Sequence, residues 1–176
     1  MKKVLIAYSS RTGNTKKVAE ALCDAADGRA ELVECGKAAD LGMFDLVFAG
    51  YWVDKGEPDK IARQFLRKLE NKKIVLFQTL GAEPLSEHAL GCFANAGKYI
   101  SESCSVLGGL SIRGAIDPNL IKAMCNFPEG HPHAPTAEKR KRWLDACAHT
   151  DQKDLEKASA VMKKYLDMYD KQFVPK

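Results

Sequence analysis

Apolar and polar positions along the chain alternate between two periods. Continuous apolar runs, the pattern of strands buried on both faces, are each followed by residues at helical spacing. Val4–Tyr8 (VLIAY) is the first such run. Behind it Val18, Ala19, Leu22, Cys23 and Ala26 form one helical stripe, with Asn14 or Thr15 as the expected cap and Gly28 as the stop. A weaker strand is expected at Ala30–Glu34, and Asp45–Gly50 (DLVFAG) is the next buried one. YWVDKGEPD then reads as a loop, leading into a helix with Ile61, Ala62, Phe65, Leu66 and Leu69 on one face. Lys73–Gln78 is a further buried strand. A helix near Ser86–Ser101 turns Ala89, Cys92, Phe93, Ala96 and Ile100 inward, and Ser105–Arg113 is the last strand.

Beyond Gly114 the pattern changes. Asp117–Met124 reads as a short helix, and Phe127–Thr136 (FPEGHPHAPT) as a loop rich in proline. Thr136 caps a basic helix through Trp143. A final helix near Asp151–Tyr169 carries Leu155, Ala158, Met162, Tyr165, Leu166 and Tyr169 on the stripe that would cover the sheet. The alternation predicts an α/β fold, a three-layer doubly wound five-stranded parallel sheet with right-handed crossovers and a helical C-terminal extension. We expect a single domain over 1–176, with its core at about 2–116 and its tail at about 117–172. Ligands of such sheets bind beyond the carboxyl ends of the strands, where strand order reverses. Three loops can build that site: Ser9–Thr15, Tyr51–Asp59 and Thr79–Ser86.

Composition narrows the class. The chain has 176 residues, 45% of them hydrophobic and 28% charged, as in ordinary globular domains. No apolar run approaches the roughly 20 residues needed to cross a bilayer. Met1–Lys3 and Val4–Tyr8 mimic the start of a signal peptide, but Ser9–Thr15 cuts the run short, so a cytoplasmic protein without membrane contact is expected. Six cysteines form no CxxC pair and no zinc spacing with histidine, which fits reduced thiols and no metal site. Net charge is +4, with the basic residues dispersed except at Lys139–Arg142. That run is either a solvated helix face or a docking patch for an acidic partner. It lacks the interleaved aromatics of a nucleic-acid site.

Ser9–Thr15 carries the clearest chemistry. It joins a buried strand to a helix start, where backbone N–H groups and the positive end of the helix dipole face outward. Ser9, Ser10, Thr12 and Thr15 add hydroxyls, Asn14 adds an amide, and Gly13 lets the backbone come close. These groups suit a terminal phosphate. A P-loop is excluded, because Gly13 has no earlier partner glycine and Lys16 is followed by Lys17. A dinucleotide fingerprint is excluded because the loop has one glycine.

Ser10-Arg11-Thr12-Gly13-Asn14-Thr15, after a strand ending Tyr8-Ser9, resembles the flavodoxin signature [ST]-x-T-G-x-T. The resemblance extends over roughly residues 2–116. It implies strand order 2-1-3-4-5, FMN as cofactor, and single-electron transfer to or from a redox partner protein, either a reductase or an acceptor enzyme. It implies that Ser9, Ser10, Arg11, Thr12, Gly13, Asn14 and Thr15 hold the phosphate. Trp52 would flank the isoalloxazine, with Tyr51 in reserve and Val53 beside them, and Thr79, Leu80, Gly81 and Ala82 would meet the ring edge. Two features depart from the family: the third loop is small and neutral until Glu83, and the chain is basic where typical flavodoxins are strongly acidic. Positive surroundings favour the doubly reduced, anionic ring, so an easier second reduction is expected. WVDKGEPD, TLGAEP and the His/Pro-rich tail together resemble a subset of bacterial flavodoxin-like proteins, among them accessory proteins associated with bilirubin reductase. His131 and His133 are candidates to reach a substrate, although partnerless loop histidines are most simply solvated.

Three functions remain open on the sequence. An FMN electron carrier needs no catalytic acid or base. An FMN-dependent NAD(P)H oxidoreductase acting on a small acceptor needs an open ring face. A non-redox module would bind another phosphorylated ligand.

Overall fold

The computed structural model describes residues 4–128, 130, 131 and 134–173, without the side chains of 172 and 173. His133 therefore lies outside the described residues. In chain order the elements are β1 (Val4–Tyr8), α1 (Asn14–Ala25), β2 (Ala30–Glu34), β3 (Leu46–Asp54), β4 (Glu57–Pro58), α2 (Lys60–Leu66), β5 (Lys73–Leu80), α3 (Glu87–Gly97), β6 (Ser105–Arg113), α4 (Pro118–Cys125), α5 (Ala137–Cys147) and α6 (Gln152–Phe173). The five long strands pair in parallel in the order β2-β1-β3-β5-β6. This is the expected 2-1-3-4-5 order counted over the long strands. Order reverses between β1 and β3, so their carboxyl ends flank the crevice.

The unbroken apolar runs follow from burial on both faces. Val4, Ile6 and Tyr8 of β1 join one core with Phe48, Val75, Phe77 and the inner stripe of α1. Leu5 and Ala7 join the other, with Val47, Tyr51, Phe65, Leu66 and Leu76. Successive residues of a strand point to opposite faces, so β1, β3 and β5 each feed both cores. Ala158, Met162, Tyr165, Leu166 and Tyr169 of α6 complete the first core, as the stripe predicts. Tyr165 meets Phe48 edge-on, with centroids 6.1 Å apart. Arg29 clasps Asp170 through two hydrogen bonds of 2.8 and 2.6 Å, tying α6 to the turn before β2. The start of α6 is fixed by reciprocal capping: Asp151 accepts from the Asp154 N–H at 2.9 Å, and Asp154 from the Asp151 N–H at 3.3 Å.

One expectation fails in an instructive way. Tyr51–Asp54 is not loop but the continuation of β3, and β4 folds back on it antiparallel, with Val53 opposite Pro58 and Asp54 opposite Glu57. The two turn residues, Lys55 (φ 52°) and Gly56 (φ 83°), both have positive φ, the geometry of a tight hairpin that follows strand twist. The Lys-Gly pair carried that signal, but the polar content of DKGEPD masked it. Ile61 also departs from the expected inward stripe and stands 50% exposed.

Candidate functional site

The loop after β1 ends at Gly13, the N-cap of α1, in a left-handed conformation (φ 92°) that glycine adopts without a Cβ penalty. Neither Asn14 nor Thr15 caps the helix, contrary to the sequence expectation, and no side chain accepts from its first turn. The start of α1 thus keeps its donors for a ligand. Asn14 instead donates its amide to Thr12 Oγ1 at 3.1 Å and to the Ala115 carbonyl at 3.0 Å.

The hydroxyls divide by what they already do. Ser10 Oγ accepts from the Gly13 N–H at 3.1 Å, and Thr12 accepts from Asn14, so each keeps its own proton to donate. Ser9 Oγ is buried and donates to Asp59 Oδ1 at 2.8 Å. Its proton is therefore committed, and its side chain fastens the loop to α2 rather than facing a ligand. Thr15 lies 2.7 Å from Thr79, hydroxyl to hydroxyl and both buried, so the first turn of α1 is joined to the end of β5, which runs on through Leu80 where a loop from Thr79 was expected. Asp59 caps α2 through the N–H groups of Ile61 (3.0 Å) and Ala62 (3.3 Å). Burial raises its pKa, opposed by the hydrogen bonds from Ser9 and the backbone. Its other oxygen, Oδ2, is buried without a partner.

A cavity of about 280 Å³ opens beside this loop. Arg11, Thr12, Asn14, Trp52, Val53, Thr79, Leu80 and Gly81 all line it. Ser10 and Gly13 border a neighbouring crevice of the same loop, with Lys16 and Cys35, and Ala82 lies in a third with Gly81. Tyr51 is not at the cavity. It is fully buried in β3, and its hydroxyl donates to Gln78 Oε1 at 3.1 Å. The extra strand length draws it inside the sheet, and its reserve role against the flavin falls away. Arg11 lies over Trp52, 5.4 Å from the ring centroid, and pairs with Asp117 at 3.0 Å. Its charge is thus partly neutralised rather than free beside a phosphate.

The cavity's remaining wall comes from the tail. Ala115, Ile116, Asp117, Leu120, Met124 and Trp143 face the same space. The sequence pattern puts Asp117, Leu120 and Met124 on the short helix and Trp143 on the basic one, gives Ala115 and Ile116 no element, and places none of them at the site. The available signals were Leu120 and Met124 at i,i+4 on one helix face, and a lone tryptophan after four cations. His131 stacks on Phe127, centroids 4.0 Å apart, and lines none of these spaces.

A parallel sheet in this order, with a hydroxyl-rich helix start and an aromatic-lined cavity at the switch point, defines a doubly wound α/β protein built for a phosphorylated planar ligand. The family model described as Flavodoxin domain matches residues 5–163, and the chain belongs to the flavodoxin family. It is 31% identical over 168 residues to the flavodoxin-like domain-containing protein BilS of Clostridioides difficile (strain CD3), covering 92% of this chain and 94% of that protein. Among solved structures, oxidised Flavodoxin 2 from Bacillus cereus superposes with a TM-score of 0.60 at 21% identity, covering 94% of this chain and 99% of that one. Flavodoxin 1 from the same organism gives 0.56 at 14% identity, over 94% and 97%. These two likenesses establish the fold. FMN is the cofactor of the family, and the residues here fit it: an uncapped helix start and two hydroxyls with free protons for the phosphate, and two tryptophans for a planar ring. Among the described residues no helix is long and apolar enough to cross a membrane.

Proposed function

We propose that this chain is an FMN-loaded electron carrier that exchanges electrons with a partner enzyme. The observation that carries the reading is the joining of the uncapped α1 start to a cavity walled by both Trp52 and Trp143. Ser10, Thr12 and the N–H groups of α1 would hold the phosphate, with Thr15 and Thr79 bracing the loop from beneath. Trp52 and Trp143 would border the ring and exclude water, and the backbone of Thr79–Gly81 would meet its edge. FMN supplies the redox chemistry when bound, and the chain supplies position and electrostatics. No side chain in the cavity needs to act as acid or base. With Arg11 engaged by Asp117 and Lys16 lying 3.8 Å from Glu20, the easier second reduction expected from overall charge rests on the basic α5. The six free cysteines accord with a reducing compartment, and we place the protein in the cytoplasm, working as one domain.

The test is titration of the unloaded protein with FMN, followed by absorbance and flavin fluorescence. Tight binding with strong quenching supports the carrier reading. No binding overturns it and leaves a module for another phosphorylated ligand. Rapid bleaching of bound flavin by NADH or NADPH would instead identify an oxidoreductase acting on a small acceptor.

A further inference from the structure

We propose that the basic face of α5, beside the mouth of the cavity, docks the redox partner through an acidic surface around that partner's own redox centre; this rests on the electron-carrier reading. The cavity adjoins a crevice of about 400 Å³ that shares Gly81, Ile116, Met124 and Trp143 with it. The crevice's outer wall carries Arg113, Lys139 and Arg142. Arg140 and Lys141, both exposed, stand with Leu144 on the outer flank of the same helix, turned away from the crevice that Lys139, Arg142 and Trp143 line.

Carboxylates offset part of this face: Glu83 takes Arg113 at 2.8 Å, Glu138 lies 4.0 Å from Arg142, and Asp145 stands exposed on α5 itself. The four cations Lys139–Arg142 still outnumber the two carboxylates of α5, Glu138 and Asp145. No carboxylate among the described residues pairs with Arg140 or Lys141. Arg113 also donates to the Arg142 carbonyl at 3.1 Å, which fixes α5 against the end of β6 and holds the cations in place. An apolar side chain stands out among them: Leu144 on α5 is 72% exposed. An exposed leucine flanked by positive charge suits a protein surface of opposite sign, with the charges steering encounter and the leucine excluding water at the contact. Contact at this point would bring a partner to the wall formed by Trp143, beside the cavity assigned to the flavin.

The test uses two haem proteins of opposite charge, acidic cytochrome b5 and basic cytochrome c. The FMN-loaded protein is reduced with dithionite, freed of excess reductant and mixed anaerobically with either ferric cytochrome in a stopped-flow instrument. One electron passes to each ferric haem, which becomes ferrous. The rate with cytochrome b5 should fall about tenfold or more as salt rises from about 20 to about 300 mM, and the rate with cytochrome c should not. Arg140→Glu with Lys141→Glu should lower the low-salt rate with cytochrome b5 about tenfold and remove its salt dependence. Arg140→Gln with Lys141→Gln should fall between, and both variants should keep the parent's FMN affinity and melting temperature. Calorimetric titration of cytochrome b5 into the unloaded protein gives a readout independent of flavin, and the Glu variant should weaken that binding too. If the chain takes up no FMN, the carrier reading fails while this titration still decides the surface. A preference for cytochrome c, a Glu variant indistinguishable from the parent, or tighter binding of a DNA duplex than of cytochrome b5 at this face would overturn the proposal.

Discussion

Replacing Asp59 by alanine tests how the phosphate loop is held. Asp59 Oδ1 receives three donors: Ser9 Oγ at 2.8 Å, the Ile61 N–H at 3.0 Å and the Ala62 N–H at 3.3 Å. Loss of an N-cap side chain costs about 1 kcal/mol. A buried hydroxyl left without its acceptor costs about 1–3 kcal/mol, and Ser9 is buried. Against this stands relief of a carboxylate whose burial raises its pKa, with Oδ2 unpartnered. A net loss of about 2 kcal/mol follows, read by urea unfolding of the unloaded protein at neutral pH. Ser9→Ala should cost about 1 kcal/mol alone and add little to Asp59→Ala, since both remove one bond. Asp59→Asn keeps an oxygen for the same donors and sheds the charge, so it should lie close to the parent or above it. The pH dependence has a definite sign. The pKa is raised in the folded protein, so the unfolded chain releases its proton first and stability falls as pH rises from the ordinary aspartate value through the raised one. Asp59→Asn should remove that fall. If Asp59→Ala and Ser9→Ala lower stability independently, or Asp59→Ala changes it by less than about 0.5 kcal/mol, the clasp described here does not operate.

Thr12→Ala should weaken FMN at least about tenfold in a fluorescence titration, a lost charge-assisted hydrogen bond being worth about 1.5–3 kcal/mol, and Thr15→Ala should add to this only through the lost brace to Thr79. Trp52→Ala and Trp143→Ala should each raise the fluorescence of bound flavin, and an unchanged yield for Trp143→Ala would remove the tail from the ring's surroundings. Tyr51→Phe should cost about 1 kcal/mol of stability through the lost bond to Gln78 and leave FMN affinity unaltered, because Tyr51 lies inside the sheet. The hydrogen bonds from Arg29 hold the Asp170 pKa below its ordinary value. Their contribution is present above that value and lost as pH falls through the depressed one, so Asp170→Asn should flatten the acid limb of a pH–stability profile by a modest amount, Asp170 being partly exposed to solvent.

The parallel sheet was legible because each buried strand wrote an unbroken apolar run, and β1 shows why: Val4, Ile6 and Tyr8 serve one core while Leu5 and Ala7 serve the other. The phosphate loop was legible because hydroxyls, amide and glycine crowd into seven residues. The sequence could not say which hydroxyls were free. Ser9 and Ser10 are neighbours of identical chemistry, yet Asp59, fifty residues away, engages only the first. Tyr51 was misplaced because strand and loop were divided by polarity, whereas the Lys55–Gly56 turn let β3 run on through Asp54. The tail's place at the cavity lay beyond local pattern altogether, since it depends on long-range contacts such as Asn14 to Ala115 and Arg11 to Asp117.

Those two contacts make the site a composite of chain segments about a hundred residues apart. The groups that position the phosphate loop also latch the start of the tail. A ligand that orders the loop therefore orders Ala115–Asp117 with it, and slower amide exchange in α4 on FMN binding is the expected signature. Trimming the protein at Arg113 to a minimal flavodoxin core would remove a wall of the cavity rather than an appendage.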